Sequence, residues 1–358
     1  MSFDWLWVAL GGVLVLWVLN DVFQSVIVPR AVGNRYRLSF NLRRLMWYAW
    51  PKVALQLYAG DDDRREDFLA IFAPFALTAA VLSWAGMLIV GYGVIFYGLR
   101  SGLAPPVRSL GAATYFAGTT LTTIGFGDFV GRNAATRFFS VCAAVNGLVL
   151  FSVTTAYLFA LFGSFQTREA FVVGIGARAG APPSGVGLLA IAGHSQTVDG
   201  LPALFFDAQL WTAMLMETHL AYPILGYFRS SHDYQSWVGT LGTLLDAATL
   251  LMTAIDGVPS GQARILYNVG RHAALDLSKY YRASVAGGAP LVERSEFDHA
   301  CERLANAGYT VRDRTLAWQR FSELRATYAP HLNAIASLFL IPPLQWIGDR
   351  SELAGKAH

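Results

Sequence analysis

Thr123, Ile124, Gly125, Phe126, Gly127 and Asp128 set two glycines one residue apart between a threonine and an acid, inside an otherwise apolar stretch. Glycine reaches positive φ without a Cβ penalty. Alternating such residues with Ile124 and Phe126 lets successive carbonyls point the same way, whereas the carbonyls of an ordinary strand alternate. A column of carbonyl oxygens can replace the water around a cation. One chain supplies one wall of such a column, and several are needed to close a ring. The chemistry on offer is ion coordination by main-chain oxygen.

The elements that hold such a loop must be membrane helices. The chain has 358 residues, 54% hydrophobic and 14% charged, where a soluble domain carries about 25% charged residues. Mean hydropathy is +0.40. Three apolar runs, 5–28, 68–99 and 138–165, are long enough to cross a bilayer. The first has no Lys or Arg before it, so it lacks the opening of a cleaved signal peptide and reads as a retained anchor. Pro74, Gly86, Gly91 and Gly93 interrupt the second, which membrane helices tolerate.

Charge gives the direction of these spans. Arg30, Arg35, Arg37, Arg43, Arg44, Lys52, Arg64 and Arg65 lie between the first two runs, while only Asp4 precedes the first. The positive-inside rule makes 29–67 cytoplasmic. The N-terminus is then expected outside, residues 100–135 outside, and the C-terminus in the cytoplasm of a bacterial inner membrane. The acidic run Asp61, Asp62 and Asp63 reads as a solvated turn before a helix.

The glycine-bearing loop therefore faces outward. Ser109 is placed to cap a short apolar helix over 110–121 that dips into the membrane and stops. Residues 122–128 return as extended backbone. Non-helical backbone at membrane depth is tolerated only when buried in protein or lining a water-filled path. The loop thus points to a pore.

Residues 123–128 resemble the signature filter of potassium channels, with Ile for Val and Phe for Tyr. Residues 68–165 are similar to the pore domain of the two-span, pore-loop channel superfamily. The resemblance implies that the Thr123 hydroxyl and carbonyl, and the carbonyls of Ile124, Gly125 and Phe126, coordinate dehydrated K⁺, with Gly127 completing the filter. It assigns filter support to Asp128, Thr122, Tyr115 and Phe116. Gly147, 22 residues after Gly125, stands where the inner helix of such channels bends; close helix contact is its other reading. Asn146 is a pore-lining candidate, with an interhelical hydrogen bond as the alternative. Thr154 and Thr155 line the inner mouth or bond their own helix. Phe126 lacks the phenol of Tyr, which removes one brace of the filter. The first span carries no Arg ladder, so no voltage sensor is expected. One filter per chain implies a homotetramer around one axis, with potassium ions and the lipid membrane as partners and no cofactor beyond the permeant ion.

The expected fold class is an all-α membrane protein: three transmembrane helices with a re-entrant pore helix and selectivity filter, plus a helical cytoplasmic domain. Its expected segments are an N-terminal anchor (1–29), a basic cytoplasmic linker (30–67), the pore domain (68–165) and the cytoplasmic domain (166–358).

In that last segment, runs 204–228, 236–255, 261–282, 293–307, 311–328 and 332–347 read as helices. Leu241, Leu244, Leu245, Ala248, Met252 and Ile255 form a helical stripe, with Asp246 and Asp256 off it or at its end. Those two acids speak against a fourth span at 237–258. The breakers are Pro182–Pro183, Gly257–Val258–Pro259, Gly287–Gly288–Ala289–Pro290 and Pro342–Pro343. Residues 172–180 resemble the nucleotide-binding strand of regulator-of-K⁺-conductance domains, but the third glycine comes one residue late and Pro182–Pro183 blocks the expected helix. Glu217–Thr218–His219 and Arg229–Ser230–Ser231–His232–Asp233 gather titratable groups. They suit a metal or pH-sensitive site, or a solvated helix end or inter-subunit salt bridge. The segment as a whole resembles the C-terminal regions of bacterial ion-transport proteins with a single pore loop, which names no ligand.

Several classes fall away. A net charge of +3 without a basic aromatic face excludes nucleic acid, and two cysteines, Cys142 and Cys301, build no disulfide framework. No zinc-ligand spacing, nucleophile elbow, P-loop or metal-protease motif occurs, so no enzyme is expected. The alternatives to a potassium channel are a weakly selective cation channel and a membrane-anchored sensor or scaffold with a vestigial pore.

Overall fold

A computed structural model describes residues 2–28, 37–180, 182–230, 232, 235–285, 292–342 and 346. Arg30, Arg35, Ser231, Asp233, Pro343 and the breaker Gly287–Gly288–Ala289–Pro290 lie outside the described residues, as does the end of the 332–347 run. The protein is an all-α membrane protein, apart from two short antiparallel ladders. It divides into an N-terminal unit, Met1–Phe162, and a C-terminal unit, Gly163–His358.

The N-terminal unit begins with α1 (Ser2–Val22), which continues as a π-helical turn, Phe23–Ile27. α2 (Leu38–Leu57) and α3 (Asp62–Ala70) follow, so the stretch expected as a linker is helical in its described part. Asp61 caps α3 by accepting the Arg64 amide, as the acidic run suggested. α4 (Phe72–Gly98) is the second long apolar helix. α5 (Leu110–Leu121) is the short one, and α6 (Ala134–Ala179) is the third long one. The helices long and apolar enough to cross a membrane are Asp4–Ile27, Asp62–Gly98 and Ala134–Ala179.

α1 and α4 run antiparallel. Asp4 pairs with Arg100 at one end, and the Trp84 indole donates to Asp21 at 2.7 Å near the other. Asp21 is buried, and it also accepts from the Ser39 amide at 3.1 Å, while Arg37 stands 3.9 Å away. A buried carboxylate is tolerated when several donors meet it. The apolar seam joins Val15, Val18, Leu88, Tyr92 and Ile95, and continues through Phe96 and Phe116 to Leu121 of α5. Each buried aliphatic or aromatic side chain of this kind contributes about 1.5–3 kcal/mol.

In the C-terminal unit, α7 (Gly185–His194) is capped by Ser184, whose side chain accepts the Gly187 amide. It was not among the expected helices. α8 (Leu201–Ala221), α9 (Trp237–Thr253), α10 (Gly261–Tyr281), α11 (Arg294–Asn306), α12 (Arg314–Arg325) and α13 (Ala329–Phe339) follow. α8 stops before Pro223, several residues earlier than expected. Residues 172–180, weighed as a strand, are the last turns of α6, and Gly180 at φ +89° ends it.

α9 is the centre of this unit and is buried along nearly its whole length. Although off the apolar stripe, Asp246 is 1% exposed. It accepts from Arg325 Nε at 3.0 Å and from the Tyr328 hydroxyl at 2.6 Å. Neighbouring helices surround α9, so no solvent face remains, and the desolvated acid is compensated by a guanidinium and a phenol instead.

Candidate functional site

The loop between α4 and α6 is framed by the first ladder, β1 (Leu103–Ala104) with β2 (Val130–Gly131), in register Leu103↔Gly131 and Ala104↔Val130. Thr136 Oγ1 donates to the Gly102 carbonyl at 3.0 Å and ties the start of α6 to the same frame. Inside it, the Ser109 hydroxyl accepts the Ala112 amide at 3.2 Å and starts α5, as expected. Phe116 of α5 meets Phe96 of α4 edge-on at 4.7 Å, and Thr114 sits against Gly93.

The end of α5 sets up the loop. The Thr119 carbonyl accepts two amides, from Ile124 at 2.9 Å and Gly125 at 3.2 Å, and the Thr120 carbonyl accepts that of Thr123 at 3.0 Å. Thr119 and Thr120 were missed in the sequence; the threonine-rich run around them was the available signal. Thr123, Gly125 and Gly127 have φ of +58°, +56° and +82°. Every second residue is thus left-handed, which costs a residue with a Cβ, such as Thr123, about 1–2 kcal/mol. Strain of this kind is a feature of functional sites. The carbonyls of residues 123–127 accept no hydrogen bond among the described residues. The loop is therefore a row of oxygen acceptors whose own amides are in large part engaged behind it.

The supporting residues divide. The Thr122 hydroxyl donates to the Gly118 carbonyl at 2.7 Å and so closes the last turn of α5. The Asp128 carboxylate accepts its neighbour's amide, from Phe129, at 3.2 Å and lies close enough to the Tyr115 phenol to interact with it. Tyr115 and Phe116 each meet the Phe129 ring at 6.4 Å. Ile124 and Phe126 are 57% and 68% exposed in the single chain.

Two residues of α6 are engaged by neighbouring helices. The Asn146 amide, expected toward the pore, donates to the Tyr92 hydroxyl of α4 at 2.6 Å. Gly147, expected as a hinge, is a point of close approach: a Cβ there would fall on the Leu121 carbonyl at the end of α5. Thr155 bonds the Phe151 carbonyl of its own helix at 2.9 Å, while the Thr154 hydroxyl has no partner among the described residues.

The titratable residues of the C-terminal unit do not converge on a metal. Among the described residues, no group of three or more His, Cys, Asp or Glu could hold one. Glu217 is exposed and His219 fully buried. Arg168, in the part of α6 that belongs to this unit, reaches His219 Nε2 at 3.4 Å. It also donates to the Leu225 and Phe228 carbonyls at 2.8 and 3.0 Å and to Glu169 at 2.9 Å. His219 Nδ1 lies 2.8 Å from the Leu215 carbonyl, an acceptor only, so the proton sits on Nδ1. Burial, with the Arg168 charge added, holds the imidazole well below the usual histidine range.

That depression has a sign. The folded unit keeps His219 neutral where the unfolded chain binds a proton, so stability present at neutral pH is lost as pH falls below about 6.5. The protection of α8 amides in the full chain, with exchange rates corrected for their intrinsic pH dependence, is expected to fall below that pH by up to about tenfold per pH unit. A His219→Gln chain should lack that component, and an identical pH profile in the two proteins would disprove the assignment.

Residues 81–164 match the profile of a family described as ion channel. Over 96 residues the chain is 29% identical to the voltage-gated potassium channel Kch of Escherichia coli (strain K12), covering 26% of this chain and 22% of that protein. Over 214 residues it is 20% identical to the uncharacterized membrane protein YdjJ of Bacillus subtilis (strain 168), covering 58% of this chain and 60% of that one. The chain spans less than two thirds of the length of either relative. No solved structure matches it. The matched segment holds most of α4, the short helix α5, the loop with its row of carbonyls, and the part of α6 that carries Gly147. Through residues 81–164, the segment that carries the loop and its row of carbonyls, the chain is similar to a family of ion channels.

Proposed function

We propose that the protein is a homotetrameric, potassium-preferring channel of a bacterial inner membrane, carrying K⁺ passively down its gradient. One observation carries the reading. Left-handed residues alternate at Thr123, Gly125 and Gly127 while the carbonyls of 123–127 stay unclaimed. Four such rows around one axis would replace the hydration shell of an alkali cation. The exposed side chains of Ile124 and Phe126 support it, because a lone chain leaves more than half of each uncovered. The potassium channel name of the E. coli relative favours K⁺ as the ion.

In this reading Thr123, Ile124, Gly125 and Phe126 bind the ion, Gly127 completes the filter, and Asp128 with Tyr115 braces the outer mouth. Thr122 and Phe116 anchor the loop from behind. The N-terminus lies outside, the C-terminal unit lies in the cytoplasm, and that unit assembles or gates the pore.

Recordings from the purified protein in planar bilayers, with K⁺ on one side and Na⁺ on the other, test the assignment. The reversal potential is expected to move toward potassium by about 59 mV for each tenfold permeability preference. A value near zero would leave a weakly selective cation channel. A Gly125→Asp chain should be silent. If cells carrying it kept every phenotype of the unaltered protein, the pore would be vestigial and the protein a membrane-anchored sensor or scaffold.

A further inference from the structure

The two outer rows of α2 differ sharply in chemistry. The inner face of this helix is occupied: Trp47 meets Phe72 at 4.7 Å, Trp50 stacks on Phe68 at 4.8 Å, and Ala54 is fully buried. The Trp50 indole also donates to the Phe68 carbonyl at 3.1 Å. Away from that face, Leu45, Ala49, Val53 and Leu57 recur every fourth residue, and all four are exposed. Beside them runs a second exposed row at the same spacing, Arg44, Tyr48, Lys52 and Gln56. Residues four apart share a helix face, so each row is one stripe. The Lys52 ammonium stands 3.6 Å over the Tyr48 ring, which extends the basic stripe along the helix.

The location of α2 narrows what can cover these stripes. Its first turn is held by Asp21 at the end of α1, through the Ser39 amide, and its middle rests on Phe72 and Phe75 at the start of α4. α1 and α4 run antiparallel, so those two ends lie on the same side of the α1–α4 pair, away from the filter loop that follows α4. Three cationic side chains keep α2 from being a span itself. A helix with an apolar stripe, a neighbouring basic stripe and an exposed Tyr suits the boundary between headgroups and acyl chains.

We infer that α2 is an interfacial helix that binds anionic phospholipid: Arg44 and Lys52 hold headgroup phosphates while Leu45, Ala49, Val53 and Leu57 enter the acyl boundary. Each cation near an anionic surface contributes enough that losing two weakens binding on the order of thirtyfold.

Two measurements on the full chain test this. Spin labels on Leu45→Cys and Val53→Cys, in a Cys142→Ser/Cys301→Ser background and in phosphatidylglycerol vesicles, should collide with oxygen far more than with a water-soluble relaxant. A label on Arg44→Cys should show the reverse. Separately, native mass spectrometry of the detergent-solubilised protein should find phosphatidylglycerol retained over phosphatidylcholine. Arg44→Gln/Lys52→Gln should cut that preference by about thirtyfold, and Arg271→Gln/Arg320→Gln in the C-terminal unit should leave it intact. Labels at Leu45 and Val53 that favour the water-soluble relaxant overturn the inference. So does an unchanged phosphatidylglycerol preference in the Arg44/Lys52 variant.

Discussion

A Gly147→Ala chain should reach the membrane and carry no thallium flux above protein-free vesicles. The added methyl would occupy the space of the Leu121 carbonyl, the last residue of α5. Overpacking of this kind costs about 1–3 kcal/mol when neighbours can shift. Here the neighbour is backbone, and it directly precedes the threonines that start the carbonyl row. α5 is also held on its other side, where Gly93 leaves no room beside Thr114. The strain therefore passes into residues 123–125, whose amides hang on Thr119 and Thr120. A hinge role predicts a different outcome, because alanine is a good helix former and would alter opening without removing ion binding. Flux assays together with calorimetric titration of K⁺ separate the two. Lost flux with K⁺ binding intact would restore the hinge; loss of both supports the close approach. Normal flux would mean that α5 can retreat at no cost.

Arg168→Ala should destabilise the C-terminal unit by about 3–5 kcal/mol, a large part of the roughly 5–15 kcal/mol that holds a domain together. The guanidinium is almost fully buried and satisfies the Leu225 and Phe228 carbonyls, Glu169 and the neutral His219. Removing it strands those acceptors in a dry interior and leaves the Glu169 carboxylate without its cation. Hydrogen exchange over residues 201–228 of the full chain is the readout, and protection there should collapse. Arg168→Lys should recover part of it, since an ammonium keeps the charge but cannot reach both carbonyls with a planar fork. Unchanged protection in the alanine variant would mean that the turn after α8 holds without Arg168.

The contrast between Gly125 and Gly147 bears on what a sequence carries. Gly125 declared its role locally: alternation with Ile124 and Phe126, placed after a capped short helix, specifies left-handed backbone and a carbonyl row within a few residues. Ser109 and Asp61 were legible for the same reason, since a cap acts on amides three residues away. Gly147 announced only that something small was needed. Whether a bend or a neighbour required it depended on where Leu121 lies, and no spacing along the chain states that.

Asn146, His219 and Asp246 repeat the lesson with polar groups. Each was read by its own helix, as pore lining, solvated end or off-stripe acid. Each is instead engaged by a distant residue: Tyr92, Arg168 and Arg325, respectively. Helical periodicity sorts faces into apolar and polar, but it assumes that one face meets water. α9 is enclosed all round, so the rule fails there and its off-stripe acid sits in a buried ion pair.

What the residues alone determined was the membrane class, three apolar runs and the loop chemistry, because hydropathy, capping and glycine alternation are local properties of the chain. Only the tertiary structure decided which helix faces meet. It thereby set the neighbours of Gly147, Asn146, His219 and Asp246. Contacts between residues far apart in sequence arise from how whole helices fit, and no short window of sequence contains that fit.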